Sequence, residues 1–456
     1  MMLPLRWSGL PLLLLAGSCF PSFELSDGGA GGEGNGGPSG GAGAGESTGG
    51  FSQAATSTGP GGGGEGGGTA IVCTPGMSPW RSVLGGVTTT AGIDPQSAYL
   101  QSITFVGNKA FVGGYTEASF ADVPASSFFV AELDYLEPRP SATFHRPLLA
   151  PGLAPKISLA GGNGNSIWIA VGSGAAVHLF ERSASDLDLG GAPSMTCTNA
   201  WVPDLGVSGD SGFAAMEISN LPASCTIADA CVIEPEGSSS VFVTPLPLAN
   251  DACAGASRYW QESEFRSEPR IAAGDGVLFM TVRGGSAGVT HMKASYDGDT
   301  WSDDGDVGTQ DSTVPTFLTP LVHGNEAYVA GTVLGDFPRT FVEGWDGAFV
   351  WDSDIDSATT VFMRTGSTNG DWIHLAGATR TSPVKAWRRR IGGLTSDTDE
   401  LAGVESMITA SATDECGNVL IAGTYQGSNF LFGGALTEEE APVPTAFIQF
   451  IPYDMD

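Results

Sequence analysis

Lysine has almost vanished from this chain. Four lysines stand among 456 residues, and with the arginines they make 19 bases against 50 acids, a net charge of −31. Such a surface repels phosphate backbones and anionic headgroups, which argues against nucleic acid as a partner. Histidine is scarce as well. The five present form no His-x-His or His-x-x-x-His pair, which argues against a zinc site. No Walker or dinucleotide glycine pattern stands between a strand and a helix. Beyond residue 70 no segment keeps an apolar stripe at helical spacing over three turns, so α/β and helical architectures lose their main signal. What the chain has in excess is glycine, 67 residues of it.

Long apolar runs are absent but for Trp7–Leu15, whose nine residues are too few to span a bilayer. With Arg6 before it and small residues after it, the run reads as an export signal over residues 1–18. The segment Leu14, Leu15, Ala16, Gly17, Ser18, Cys19 resembles a bacterial lipobox, with Ala16 where that family carries leucine. The resemblance implies cleavage before Cys19, a lipid on its sulfur and, from Phe20 in the next place, a cell outer membrane or surface location. Residues 19–70 then form the anchor site and a tether. Residues 28–68 hold 21 glycines among 41 residues and have almost nothing to bury. As a random coil such a stretch holds its ends roughly 35 Å apart.

Seven cysteines are an odd number for an exported protein. With Cys19 given to lipid, Cys73, Cys197, Cys225, Cys231, Cys253 and Cys416 remain, enough for three disulfides in an oxidising compartment. Six cysteines allow fifteen pairings. Four of them fall between 197 and 253, which suggests a locally stapled insertion near 195–255. Cys73 and Cys416 stand alone at opposite ends of the folded region and are expected to bridge.

From residue 71 short apolar runs rich in Val, Ile, Phe, Thr and Trp alternate with Gly, Asn, Asp and Pro clusters, the pattern of pleated strands and turns. A phrase recurs: NKAFVGGY at 108–115, NEAYVAGT at 325–332, DWIHLAGAT at 371–379 and GNVLIAGT at 417–424. The turns that open it fall near Gly107, Gly164, Gly237, Gly274, Gly324, Gly370 and Gly417, the last four spaced by 50, 46 and 47 residues. Seven anchors at about four strands each predict an all-β fold over 71–456: a seven-bladed β-propeller of four-stranded antiparallel sheets. The glycine of the phrase is expected where strands crowd together and a side chain would clash.

Residues 324–350 carry a closer likeness. Gly324, Asn325, Val329, Gly331, Asp336, Phe337, Pro338, Asp346, Ala348, Phe349 and Val350 fit the SBBP-type β-propeller repeat of exported bacterial proteins, which this segment resembles. The regions starting at Gly107 and Gly417 fit it less fully. The resemblance implies a propeller on the cell surface and no catalytic residues, because the motif is structural.

Candidate chemistry is thin. GDSG at 209–212 lacks the flanking residues of trypsin-like proteases and reads as a polar turn. Gly284, Ser286 and Gly288 satisfy G-x-S-x-G, but strand-like segments lie on both sides where a nucleophile elbow needs a helix. SYDGDTW at 295–301 is one residue short of the Asp-box hairpin of sialidase-like propellers. Asp297, Asp299, Asp303, Asp304 and Asp306 could offer oxygens to calcium, the one cofactor the sequence allows, and Asp352, Asp354 and Asp356 form a second acidic group. Trp345, Trp351, Trp372 and Trp387 would suit sugar or peptide binding if exposed, and core if not. The expected role is a non-catalytic binding or structural scaffold, partnered by the membrane through its lipid and by a surface protein or glycan. The alternative is a carbohydrate-active hydrolase or lyase.

Overall fold

The computed structural model describes residues 77–84 and 98–453, less short stretches such as 219–223, 234–238, 247–257, 285–289, 307–313 and 353–360. All fall within the unit Thr58–Asp456. The described chain is all β, and seven of its sheets are the blades of one propeller. First strands Ala98–Val106, Lys156–Gly161, Ala200–Ser208, Arg266–Gly274, Val314–His323, Val361–Thr368 and Glu405–Thr413 open blades one to seven. Each contacts the next, and the seventh closes on the first. The remaining strands of each blade follow outward in antiparallel order.

Two departures from that plan matter. The outermost strand of blade seven is Trp80–Leu84, which pairs with Ala441–Ile451, so the two ends of the described chain share one sheet. The stretch expected as an insertion near 195–255 holds most of an ordinary blade, with Ala200–Ser208, Ser211–Ile218 and Ser239–Leu246 as three strands of blade three. Among the described residues of this stretch, only the hairpin Ser224–Ile227 and Cys231–Ile233 is additional. It leaves blade three and pairs with Met195–Thr198 at the edge of blade two, making that blade six-stranded. The blade-three turn accordingly lies between Ser208 and Ser211, in the GDSG segment, and not at Gly237.

The core is built as walls between neighbouring blades. Phe111, Val130, Ile157 and Ile169 join blades one and two. Phe213, Val243, Ile271 and Met280 join three and four, and Leu321, Val342, Met363 and Leu375 join five and six. Alternate residues of each strand serve opposite walls. Each large side chain so buried contributes on the order of 2 kcal/mol.

The recurrent glycine has a more specific cause than crowding. Gly377 and Gly423 sit opposite Met363 and Ile408, immediately beside a bulge in the first strand. A Cβ on Gly377 would lie 1.9 Å from the Phe362 carbonyl oxygen, and one on Gly423 would lie 2.0 Å from that of Met407. The bulge presses a carbonyl into the space a side chain would need. It also places one extra residue on the innermost strand: Gln101, Thr316, Arg364 and Thr409 in blades one, five, six and seven. Structure at the axis is thus written into the repeat itself.

Candidate functional site

The inner strands are knitted together by side chains. Ser102 Oγ accepts the Leu159 amide at 2.9 Å, and Thr104 Oγ1 accepts the Gly161 amide at 2.8 Å, joining blade one to blade two. Gln101 accepts from Ile157 N at 2.8 Å and donates to Pro155 O at 3.0 Å, which sets it level with Lys156. Asp204 spans three blades. Its Oδ1 accepts from Ser158 Oγ at 3.1 Å, and its Oδ2 accepts from Ile271 N at 3.0 Å. Thr365 Oγ1 accepts the Ser411 amide at 3.0 Å, Ser367 and Thr413 hydroxyls lie 2.6 Å apart, and Thr409 Oγ1 donates to Leu100 O at 2.5 Å across the closing joint. A hydroxyl or carboxylate partnered this way satisfies an amide that would otherwise be buried unpaired.

Basic side chains stand on the same ring. Lys156 begins the first strand of blade two, and Arg270 lies on the first strand of blade four. Burial, and after it the charge of Arg270, brings the Lys156 ammonium down to about 7, against a smaller opposing pull from Asp204. Blade three stands between these two blades, so the two cations act on each other past Asp204 and not across a shared wall. Arg364 is the extra bulge residue of blade six. Its surface is exposed, yet the protein around it lowers its pKa by desolvation, as befits a side chain in a concave place.

A second feature is a cleft of about 690 Å³ lined by blade-four residues Phe279 and Lys293 and by Glu326, Tyr328, Trp345 and Asp346 of blade five. Lys293 and Glu343 form a buried ion pair at 3.5 Å, with side chains 4% and 1% exposed. Lys293 also donates to Trp345 O at 3.0 Å, and Trp345 meets the edge of Phe279 at 4.9 Å between centroids. Tyr328 donates to Glu326 Oε2 at 2.9 Å. Trp345 is half-buried here, whereas Trp372 and Trp387 are core. Nothing is described of the Trp351 side chain.

The candidates read from sequence fall as follows. Cys197 and Cys225 are disulfide-bonded and directly opposite each other in adjacent strands. Cys231 lies on the partner strand of that hairpin. Cys416 is disulfide-bonded, while its expected partner Cys73, and Cys19 and Cys253, lie outside the described residues. Ser286 belongs to the connection between antiparallel neighbours Val277–Gly284 and Thr290–Tyr296, which is a hairpin and not a strand-to-helix elbow. The Asp-box-like segment joins the third and fourth strands of blade four, with Tyr296 paired to Trp301. Asp297 is exposed at that turn, Asp303, Asp304 and Asp306 lie on the strand Trp301–Asp306, and Asp299 is outside the described residues. Among the described residues no three acidic, histidine or cysteine side chains gather as a metal site would require.

Sequence reading missed Lys156, Arg270 and Arg364 as a set. The signal was available in the repeat: each lies four to eight residues before one of the turns at Gly164, Gly274 and Gly370.

No family model matches the sequence, and no curated protein does. Several solved structures are similar. The polysaccharide lyase Uly1 is 11% identical over 83% of this chain and 99% of its own, with a TM-score of 0.47. The β-propeller domain of the Trilobed protease from Pyrococcus furiosus, described as having an open velcro topology, is 9% identical over 79% of this chain and 96% of its own, with a TM-score of 0.46. The acylaminoacyl peptidase of Pyrococcus horikoshii is 9% identical over 73% of this chain and 50% of its own, with a TM-score of 0.43. At these identities the likeness is one of architecture alone.

Proposed function

We propose that this protein is a non-catalytic binding or structural scaffold of the cell envelope, exported, lipidated on Cys19 and held off the outer membrane by its glycine-rich tether. One observation carries the non-catalytic reading. Among the described residues, a run of inner-strand polar side chains bonds to one another and to neighbouring backbone, from Gln101 and Ser102 through Asp204 to Thr365, Thr409 and Ser411. A carboxylate free to move protons is what a glycoside hydrolase or lyase needs there. Asp204 instead accepts on both oxygens and holds three blades in register. The partner would be a glycan or a surface protein, met by the loops and rims that the repeat leaves variable.

The test is to place the purified propeller on a glycan array and, in parallel, to incubate it with the bound glycans and follow reducing ends and unsaturated uronate absorbance. Binding without product is expected. Steady release of either product would replace the scaffold with an enzyme.

A further inference from the structure

We propose that the cleft between blades four and five is a glycan subsite that takes a sugar unit bearing a free amine. The proposal deepens the binding reading above and rests on it.

The cleft holds about 690 Å³, inside the range of roughly 300–1,000 Å³ that small-molecule sites occupy. Its lining sets the aromatic residues Phe279, Tyr328 and Trp345 beside the carboxylates of Glu326 and Asp346. Trp345 marks the place. Trp80, Trp168, Trp372 and Trp387 are buried. Trp345 is half-buried, at the margin of the small cluster made by Leu318, Val329 and Phe341. Its backbone is fastened on both sides. The amide donates to Ala327 O at 2.9 Å, and the carbonyl accepts from Lys293 Nζ at 3.0 Å. Phe279 packs against the ring at 74° between planes.

Lys293 is 4% exposed and stands there with Glu343 as its counter-ion. A pair buried so deeply seldom adds stability over apolar residues of the same size. Its use here is positional: the ammonium holds the Trp345 carbonyl, and with it the ring, before any ligand arrives. A wall fixed in advance loses less freedom on binding.

The chemistry of the lining selects the ligand. A pyranose presents C–H groups to an aromatic wall and hydroxyls to acceptors around it. Charge decides which pyranose. Lys293 is the one base among the described residues of the lining, and Glu343 and Trp345 O already meet it. A uronate or sulfated sugar finds no cation of its own there, and a chain of net charge −31 repels it. Glu326 works in the other sense. It is exposed at the rim, and its Oε2 accepts from the Tyr328 hydroxyl at 2.9 Å, which leaves Oε1 open to a donor. An ammonium beside this carboxylate and the aromatic wall gains a charge-assisted hydrogen bond and a cation–π contact together.

Titration calorimetry of the folded propeller at pH 6 and constant ionic strength tests this, with glucosamine trisaccharide, its N-acetylated counterpart and galacturonate trisaccharide as probes. The amine should bind, the acetamide should bind about tenfold more weakly, and the uronate should give no heat. Glu326→Gln should bring the amine down to the level of the acetamide and leave the acetamide unchanged. Trp345→Ala should weaken the amine by more than about tenfold. Should that variant fail to fold, Glu326→Gln at the exposed rim still decides. Lys293→Met with Glu343→Leu should stay folded yet bind the amine more weakly, which a merely structural pair would not do. Absence of heat with the amine, equal affinity for the amine and either other probe, or unchanged affinity in Glu326→Gln or in folded Trp345→Ala would overturn the site. Unchanged affinity in the folded Lys293 and Glu343 double variant would overturn the positioning role. Glycan-array hits that persist unchanged in folded Trp345→Ala would also overturn the site while leaving the scaffold reading in place.

Discussion

Single residues show what the walls between blades tolerate. Lys293 and Glu343 are paired inside the joint between blades four and five, at 3.5 Å and almost wholly buried. Removing one member of such a pair leaves a charge in a poor solvent, which costs about 3–5 kcal/mol, whereas replacing both with apolar residues is often neutral. Lys293→Met is therefore expected to lower stability in denaturant by that amount, and Lys293→Met with Glu343→Leu to recover most of it. Equal losses in the single and double variants would mean that the pair is not what holds this joint. His374 poses a different question. It is 8% exposed and directly opposite Arg390 in the sheet. Burial, then the charges of Arg390 and Arg388, bring its pKa from 6.5 to about 3. The unfolded chain binds a proton below 6.5 that the folded chain refuses, so stability is full above pH 6.5 and falls as pH drops through the window from 6.5 to about 3. Between pH 6.5 and 5 the loss from this one group should be about 1.5 kcal/mol. His374→Gln, compared with the wild type by urea unfolding at the two pH values, should remove that difference. An identical pH slope in both proteins would show that the imidazole titrates normally.

At the scale of elements, the extra hairpin 224–233 is held to blade two by four cross-strand pairs, one of them the Cys197–Cys225 disulfide. Cys197 and Cys225 are 28 residues apart, and closing a loop of that length removes about 3–4 kcal/mol of unfolded-chain entropy. Cys197→Ala with Cys225→Ala is expected to lower the melting temperature and to open the hairpin to limited proteolysis before the blades. Cleavage first within a blade strand would deny the hairpin its separate status. The same hairpin explains why one blade was hard to read. Blades one, six and seven carry the glycine where a carbonyl beside the inner bulge needs that space, and blade five carries Gly331 two residues before the equivalent place, so each announced itself with a turn and a Val, Leu or Ile two residues before a glycine. Blade three replaces the phrase with SGFAAMEI, spreads its irregularity over Val202 and Pro203, and separates its second and third strands by the hairpin. Its turn at 209–210 was visible as polar residues but carried none of the spacing that identified the others. The basic residues of the inner strands were harder still. Lys156, Arg270 and Arg364 stand on the first strands of three different blades, and nothing in the linear sequence groups them. One of them exists as an inner-strand residue because of a bulge, which leaves no trace in hydrophobic periodicity.

For the whole molecule the decisive element is the one that joins its ends. A ring of blades resists opening only if the last joint is as strong as the others, and here that joint is blade seven. Its outer strand Trp80–Leu84 comes from far upstream in the chain. Trp80 stacks on Phe450 at 5.9 Å and donates to Tyr135 O at 3.1 Å, which ties blade seven to the connection between the third and fourth strands of blade one. Tyr135 in turn donates to Asp414 Oδ2 at 2.9 Å, and burial, then Asp414, raises its pKa, so the hydroxyl stays protonated. Arg81 is the clamp. It donates to Gln449 Oε1 at 2.6 Å, Phe430 O at 2.6 Å, Phe432 O at 2.9 Å and Thr437 Oγ1 at 3.0 Å, and lies 3.9 Å from the centre of the Phe430 ring. Burial lowers its pKa to about 10, which leaves it charged at neutral pH. Arg81→Met would leave two carbonyls and the Gln449 oxygen without this donor, at about 1–3 kcal/mol for each buried group so orphaned. A chain beginning at residue 71 should therefore unfold in one cooperative transition at the temperature of the full-length protein. A chain beginning at residue 86 should lose that cooperativity and show an expanded radius by small-angle scattering, because the ring can open at the joint between blades seven and one. If the shorter chain melts at the same temperature with the same radius, ring closure is carried by the inner-strand hydrogen bonds alone, and the outer strand is only a cover.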